Sequence, residues 1–111
     1  KKQIATQFQL GEFFFDVQRQ ELIHNGKLQR ITEKETAILQ LLCQHKNQIL
    51  RREEAVEQIY GKKDYFLGRS FDVFICRLRK LLMPDPNISI ENVFKVGFIL
   101  NVKEGETIRS Q

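Results

Sequence analysis

The stretch RSFDVFICRLRKLL, residues 69–82, gathers the groups in this chain best suited to holding a ligand. Phe71, Ile75, Leu78 and Leu82 follow one another at steps of four, three and four, which on a helix makes one buried stripe. The opposite side then presents Arg69, Ser70, Val73, Phe74, Arg77 and Lys80, with Asp72, Cys76 and Arg79 along the margins. Guanidinium and ammonium groups bind phosphates, an Arg fork fits the acceptors of guanine, and apolar side chains meet the methyl of thymine. A DNA major groove, roughly 12 Å wide, accepts one helix carrying such groups. A plainer reading stays open on these residues alone: a solvated helix face whose late cations complement the helix dipole.

The placement of charge favours the first reading. The chain has 18 Lys and Arg against 14 Asp and Glu, a net charge of +4. Between Gly61 and Met83 stand Lys62, Lys63, Arg69, Arg77, Arg79 and Lys80 against Asp64 and Asp72, so this one segment carries an excess equal to the whole chain's. Other chemistry has little support. There are two histidines, and no nucleophile signature, phosphate-cradling glycine loop or recognisable carboxylate pair, so neither an enzyme nor a catalytic residue is expected. Cys43 and His45 sit two apart on one predicted helix and face different ways, so no metal and no cofactor is expected. Two cysteines inside helices imply reduced thiols, and no apolar run approaches the roughly 20 residues of a membrane span, so the expectation is a soluble, cytoplasmic protein without a membrane partner.

The elements around this helix are readable in order. QFQL, FFFD, ELIH and KLQR read as four strands, with Asn25-Gly26 as the strongest hairpin signal because both residues tolerate positive φ. Thr32 and Glu35 form a capping box that opens a helix over 33–46, with Ala37, Ile38, Leu41, Leu42 and His45 on its apolar stripe and Asn47 ending it. Gln48-Ile49-Leu50 follows as a short strand. A second helix, 52–60, repeats the pattern through Ala55, Val56 and Ile59 and stops at Gly61. GKKDYFLG, residues 61–68, reads as a glycine-bounded loop, and Pro84 stops the third helix. Residues 88–95 and 98–103 form a closing hairpin that turns at Val96-Gly97. The fold class expected is α+β: a winged helix-turn-helix with an N-terminal four-stranded antiparallel sheet, three helices and a C-terminal hairpin wing. One domain spans 7–103, between a linker end or disordered stretch at 1–6 and a tail at 104–111.

Motifs along this frame are similar to those of one family. ITEKETAILQLL resembles the pattern L-T-x-x-E-x-x-L-L, and RREEAVEQIYG resembles S-R-E-x-L-x-x-x-V-W-G. RSFDVFICRLRKLL is close to R-T-V-D-V-H-I-x-x-L-R-x-K-L, matching at Arg69, Asp72, Val73, Ile75, Leu78, Arg79 and Leu82, and VFKVGFIL resembles the wing V-R-G-x-G-Y-x-L with Gly97 in register. Over residues 8–102 the chain therefore resembles the C-terminal DNA-binding domain of OmpR/PhoB-type two-component response regulators.

The resemblance implies a DNA-binding set of Arg69, Ser70, Val73, Phe74, Arg77, Arg79 and Lys80 on the third helix, with Arg77 and Arg79 as the foremost contacts, and Phe94 and Lys95 in the wing. Tyr60 either donates to a phosphate or serves as a helix-end core aromatic, and Arg52, with Arg51, either meets phosphate or a second subunit or is solvated. The loop bearing Lys62, Lys63, Asp64, Tyr65 and Phe66 matches the family's RNA polymerase contact. Implied partners are double-stranded promoter DNA, RNA polymerase, an N-terminal receiver domain and its sensor kinase, in a bacterial phosphorelay; the effector domain is expected monomeric alone and dimeric on DNA. Departures from the pattern are Phe74 and Cys76 where polar or basic base-reading groups are common, Phe94 where a wing Arg is frequent and Phe98 where Tyr is usual. Phe74, Phe94 and Tyr65-Phe66-Leu67 keep a rival open, a winged-helix protein-interaction module without DNA binding.

Overall fold

The computed structural model describes residues 5–62 and 64–103, Tyr65 by its backbone alone. Within them the order is β1 (Gln7–Leu10), β2 (Phe13–Asp16), β3 (Glu21–His24), β4 (Lys27–Arg30), α1 (Glu33–Gln44), β5 (Ile49–Arg51), α2 (Arg52–Tyr60), α3 (Tyr65–Leu82), β6 (Ile88–Val93) and β7 (Gly97–Val102). The expected tail at 104–111 and most of the expected linker at 1–6 lie outside the described residues. Ala5 and Thr6, ahead of β1, already bond to the fold: Gln40 Nε2 donates to Ala5 O at 3.2 Å and Val17 N to Thr6 O at 2.8 Å.

The first four strands form an antiparallel meander in sequence order. Asn25 and Gly26 both take positive φ, 53° and 77°, as the tight turn requires. Glu21, nearly inaccessible on this sheet, is held by Arg30 at 2.6 Å and Arg19 at 3.1 Å. The hydrogen bond from Arg30 keeps its carboxyl below the ordinary glutamate value. Asp85, 1% exposed, ties the meander to the connection after α3 by accepting from Glu12 N at 2.7 Å and Asn87 N at 2.9 Å.

The three helices share one core with both sheets. Phe71, Ile75, Leu78 and Leu82 are all at most 1% exposed, and they cluster with Ile38, Leu39 and Leu42 of α1, Ala55 and Val56 of α2 and Phe98 and Leu100 of β7. Burying each such side chain contributes about 1.5–3 kcal/mol, so the stripe fixes how α3 is rotated. The capping box forms as read, with Thr32 Oγ1 accepting from Glu35 N at 3.2 Å and Thr32 N donating to Glu35 Oε1 at 2.9 Å.

Three expectations are corrected. First, α3 begins a turn earlier than residue 69: Asp64 accepts from Phe66 N at 2.8 Å and caps it, so half of the expected glycine-bounded loop is helix. Gly68 lies inside that helix, with the Arg52 guanidinium beside it, 2.9 Å from where a Cβ would stand. Second, α1 ends at Gln44; Asn47, at φ 62°, docks on β7 by donating to Leu100 O at 2.8 Å and accepting from Val102 N at 2.9 Å. Third, the wing turns at Phe94-Lys95-Val96, with Lys95 at φ 63°, and Gly97 is a strand residue.

Gly97 stands opposite Arg51 in a second, three-stranded sheet ordered β5-β7-β6. A Cβ on it would collide with the Leu50 carbonyl oxygen and sit 2.9 Å from Arg51 Cα. No rotamer relieves a clash with backbone. Gly97→Ala is therefore expected to lower stability by about 1–3 kcal/mol, the range for overpacking, and a urea titration followed by circular dichroism measures it.

Candidate nucleic-acid interface

Because its buried stripe is fixed, the opposite side of α3 is fixed as well. Arg69, Val73, Cys76, Arg77 and Lys80 are exposed there, Val73 by 54%, and Ser70 and Phe74 are half-buried. Phe74 is not the freely outward group expected: it packs against the core edge, three residues on from Phe71, and its ring lies 5.6 Å under the Arg77 guanidinium. Arg77 Nη1 also approaches Glu35 Oε2 at 3.7 Å. Glu35 thus caps α1 and orients the central arginine of α3. Its first task was visible in the sequence, whereas the second appears only once α1 packs on α3.

Arg79 is placed differently from Arg77. Its Nε and Nη2 both donate to Ile90 O, at 3.1 and 2.9 Å, so the guanidinium is turned onto β6 and joins α3 to the wing. The two arginines named as foremost contacts thus stand in different geometries. The period placed Arg79 on a margin of the face, but nothing in the sequence names a carbonyl eleven residues on as its acceptor.

Two further expected contacts carry internal bonds. Arg52 grips Asp72 through both carboxylate oxygens, at 3.1 and 2.8 Å, across the α2–α3 junction. With both side chains more than a third exposed, this pair contributes about 1 kcal/mol or less. Tyr60 packs its ring against the core and donates its hydroxyl to Ser70 Oγ at 3.2 Å, while Lys34 Nζ lies 4.9 Å from that ring. Tyr60 is thus a helix-end core aromatic whose hydroxyl reaches Ser70.

The wing projects Phe94, 79% exposed, at its tip, with Lys95 Nζ 5.5 Å from the ring. Between wing and α3 runs a cleft lined by Arg51, Arg52, Asp72, Cys76, Arg79 and Lys95. In the α2–α3 connection Lys62 is exposed, Asp64 caps α3 and Phe66 is 74% exposed; Lys63 and the Tyr65 side chain lie outside the described residues. Among the described residues no three His, Cys, Asp or Glu side chains gather as a metal site.

A helix anchored by one apolar stripe, cationic on its other side, preceded by two packed helices and flanked by a hairpin defines a winged-helix domain of the recognition type. The family profile "Transcriptional regulatory protein, C terminal" matches residues 26–100, and the chain belongs to that family, in its OmpR/PhoB branch. It is 39% identical over 107 residues to the transcriptional regulatory protein RprY of Bacteroides fragilis, covering 96% of this chain and 45% of that protein. Its fold is similar to the DNA-binding domain of CpxR from Escherichia coli, with a TM-score of 0.74 at 22% identity over 88% of this chain and 98% of that one. It is similar, too, to the Klebsiella pneumoniae RstA DNA-binding domain in complex with the RstA box, with a TM-score of 0.73 at 24% identity, covering 87% and 98%.

Removing the Arg79 side chain frees a strand carbonyl and loosens the wing. Arg79→Ala is expected to cost about 1.5–3 kcal/mol of stability, as for a hydrogen bond from a charged donor, with faster amide exchange along β6. Arg77→Ala, on the exposed face, is expected to change stability by about 1 kcal/mol or less in the same chemical denaturation.

Proposed function

We propose that this domain binds double-stranded DNA by laying the outward face of α3 in the major groove, with the tip of the wing against the neighbouring backbone. The observation that carries this is the pairing of two facts: the domain belongs to the transcriptional regulators' C-terminal family, and its longest helix buries one stripe so that Arg69, Arg77 and Lys80 stand exposed on the other side. Arg77 is the central direct contact, poised by Glu35 and Phe74. Arg79 and Arg52 act mainly by holding the wing and α2 in place, and Lys95 and Phe94 reach from the wing tip. Tyr60 and Ser70 contact a phosphate through their shared hydroxyl pair.

The domain is the effector of a response regulator. The chain spans less than half of the Bacteroides relative it matches, and the remainder of the natural protein is proposed to be an N-terminal receiver domain phosphorylated by a sensor kinase. A single domain offers few phosphate contacts, so it is monomeric and weak alone, and joining two copies on adjacent half-sites raises affinity through effective concentration. Phe66, exposed in the first turn of α3, suits a protein partner, for which RNA polymerase at a promoter is the proposed occupant. Among the described residues no helix is long and apolar enough to cross a membrane, and a cytoplasmic site of action is proposed with the reduced thiols.

The exposed Phe66 and Phe94 favour the rival, a protein-interaction module without DNA binding. Fluorescence anisotropy on a duplex at several salt concentrations separates the two. DNA binding predicts affinity that falls steeply with salt, and a slope made shallower by about one in Arg77→Ala; affinity absent even at low salt would favour the rival. The two thiols give an independent check. Cys43 is buried, which pushes its thiol up to about 12, whereas Cys76 is exposed on α3. A maleimide is therefore expected to label Cys76 alone in the folded chain, and saturating duplex is expected to slow that labelling at least tenfold.

A further inference from the structure

The outward side of α3 has an internal order that a general basic face does not explain. Arg69, Val73, Cys76 and Lys80 follow at steps of four, three and four, the same steps as the buried stripe, and so form one line along the helix opposite the core. All four are exposed. Cations stand at its ends and two small apolar groups at its middle, since a free cysteine behaves as a small hydrophobe. No amide or carboxylate stands on that line. The hydroxyl of half-buried Ser70 on the same helix accepts from Tyr60, and the carboxylate of Asp72 is gripped by Arg52.

Dimensions match this order to a groove. Arg69 and Lys80 are eleven residues apart, about 16 Å along the axis at 1.5 Å per residue, more than the roughly 12 Å of a major groove, so the ends reach its phosphate walls while the middle faces the floor. Val73 and Cys76 are three residues apart, about 4.5 Å of rise, close to the 3.4 Å between bases on one strand. An apolar pair at that spacing has one partner on the groove floor, the C5 methyl of a pyrimidine.

We infer that Val73 and Cys76 read the C5 methyls of neighbouring thymines, and that Arg69 and Lys80 clamp the backbone on either side. The inference rests on the DNA-binding reading above and adds to it what the helix recognises. Specificity at these positions comes from packing rather than from hydrogen bonds. The same methyl occurs on 5-methylcytosine, and the test distinguishes the two sources.

The test uses duplexes enriched from a randomised pool by the full chain, resynthesised with uracil for each thymine in turn, and separately with 5-methylcytosine for each cytosine. Uracil keeps every hydrogen-bonding group and removes only the methyl. One or two positions are expected to lose about fourfold in affinity, the worth of one buried methyl-sized group. In Val73→Ala or Cys76→Ser that uracil penalty should vanish at its own position, a coupling readable as a double-mutant cycle. Both residues are exposed, and an unchanged thermal melt checks that neither substitution alters the fold. Uracil tolerated at every position overturns the inference while leaving salt-dependent DNA binding intact. A penalty that survives in both variants overturns it as well, by assigning the methyl to another side chain such as Phe94. A gain on cytosine methylation without any uracil penalty overturns thymine as the source. If no duplex is bound at all, the DNA-binding reading fails and the inference falls with it.

Discussion

The rotation of α3 about its own axis is the constraint on which everything else in this domain depends. Phe71, Ile75, Leu78 and Leu82 are essentially inaccessible, and a turn of the helix by one residue, 100°, would carry all four toward water and drive inward Asp72 and Arg79 in one sense of rotation, or Ser70 and Arg77 in the other. At about 1.5–3 kcal/mol for each buried side chain, the four together outweigh what any surface ion pair on this helix contributes. The exposed line through Val73 and Cys76 is therefore the geometric complement of the core. It needs no contact of its own to stay in place.

Polar contacts refine what the stripe sets. Three arginines around α3 have different neighbours: Arg77 faces the capping carboxylate Glu35 and the Phe74 ring, Arg52 is forked on Asp72, and Arg79 is bonded to the Ile90 carbonyl. The mode of each contact differs in consequence. The 3.7 Å approach of Arg77 to the buried Glu35 is long, and the guanidinium itself is more than half exposed. The paired short bonds from Arg79 to a backbone oxygen cannot be exchanged without leaving that carbonyl unsatisfied. Arginines of α2 and α3 thus differ in how far each is tied to its own chain.

Much of this was legible in the sequence. The first four strands and α2 fall on the residues read from alternation, the Asn25-Gly26 turn and the Gly61 stop, because local chemistry decides them. The core stripe of α3 was legible for the same reason. What escaped reading depended on partners far along the chain. Gly68 looks like a loop boundary until Arg52 is seen to fill the space where a side chain would be, and Gly97 looks like a turn residue until β5 is placed against it. The start of α3 was missed although its signal was present, since Asp64 two residues ahead of Phe66 is an ordinary cap. In the candidate site, the period separated inner from outer residues except at Phe74, which packs on the core edge, but whether an outer arginine is bonded within the chain requires knowing what lies across from it.

The wing illustrates how a sheet edge transmits the same constraint. β7 is central between β5 and β6, and β5 leads directly into α2, whose Arg52 N donates to Val96 O at 3.0 Å. The tip of the hairpin is consequently tied to α2 by backbone and to α3 by Arg79, so Phe94 and Lys95 stand at a set position relative to Val73 and Cys76 although more than ten residues of chain separate them. A ligand that touches both the helix and the hairpin meets a surface whose parts need no rearrangement to be brought together, which removes the ordering cost that a flexible loop would impose on binding. The shared element is β7, and its closest approach is at Gly97, the one position in the wing where the backbone admits no side chain without displacing β5.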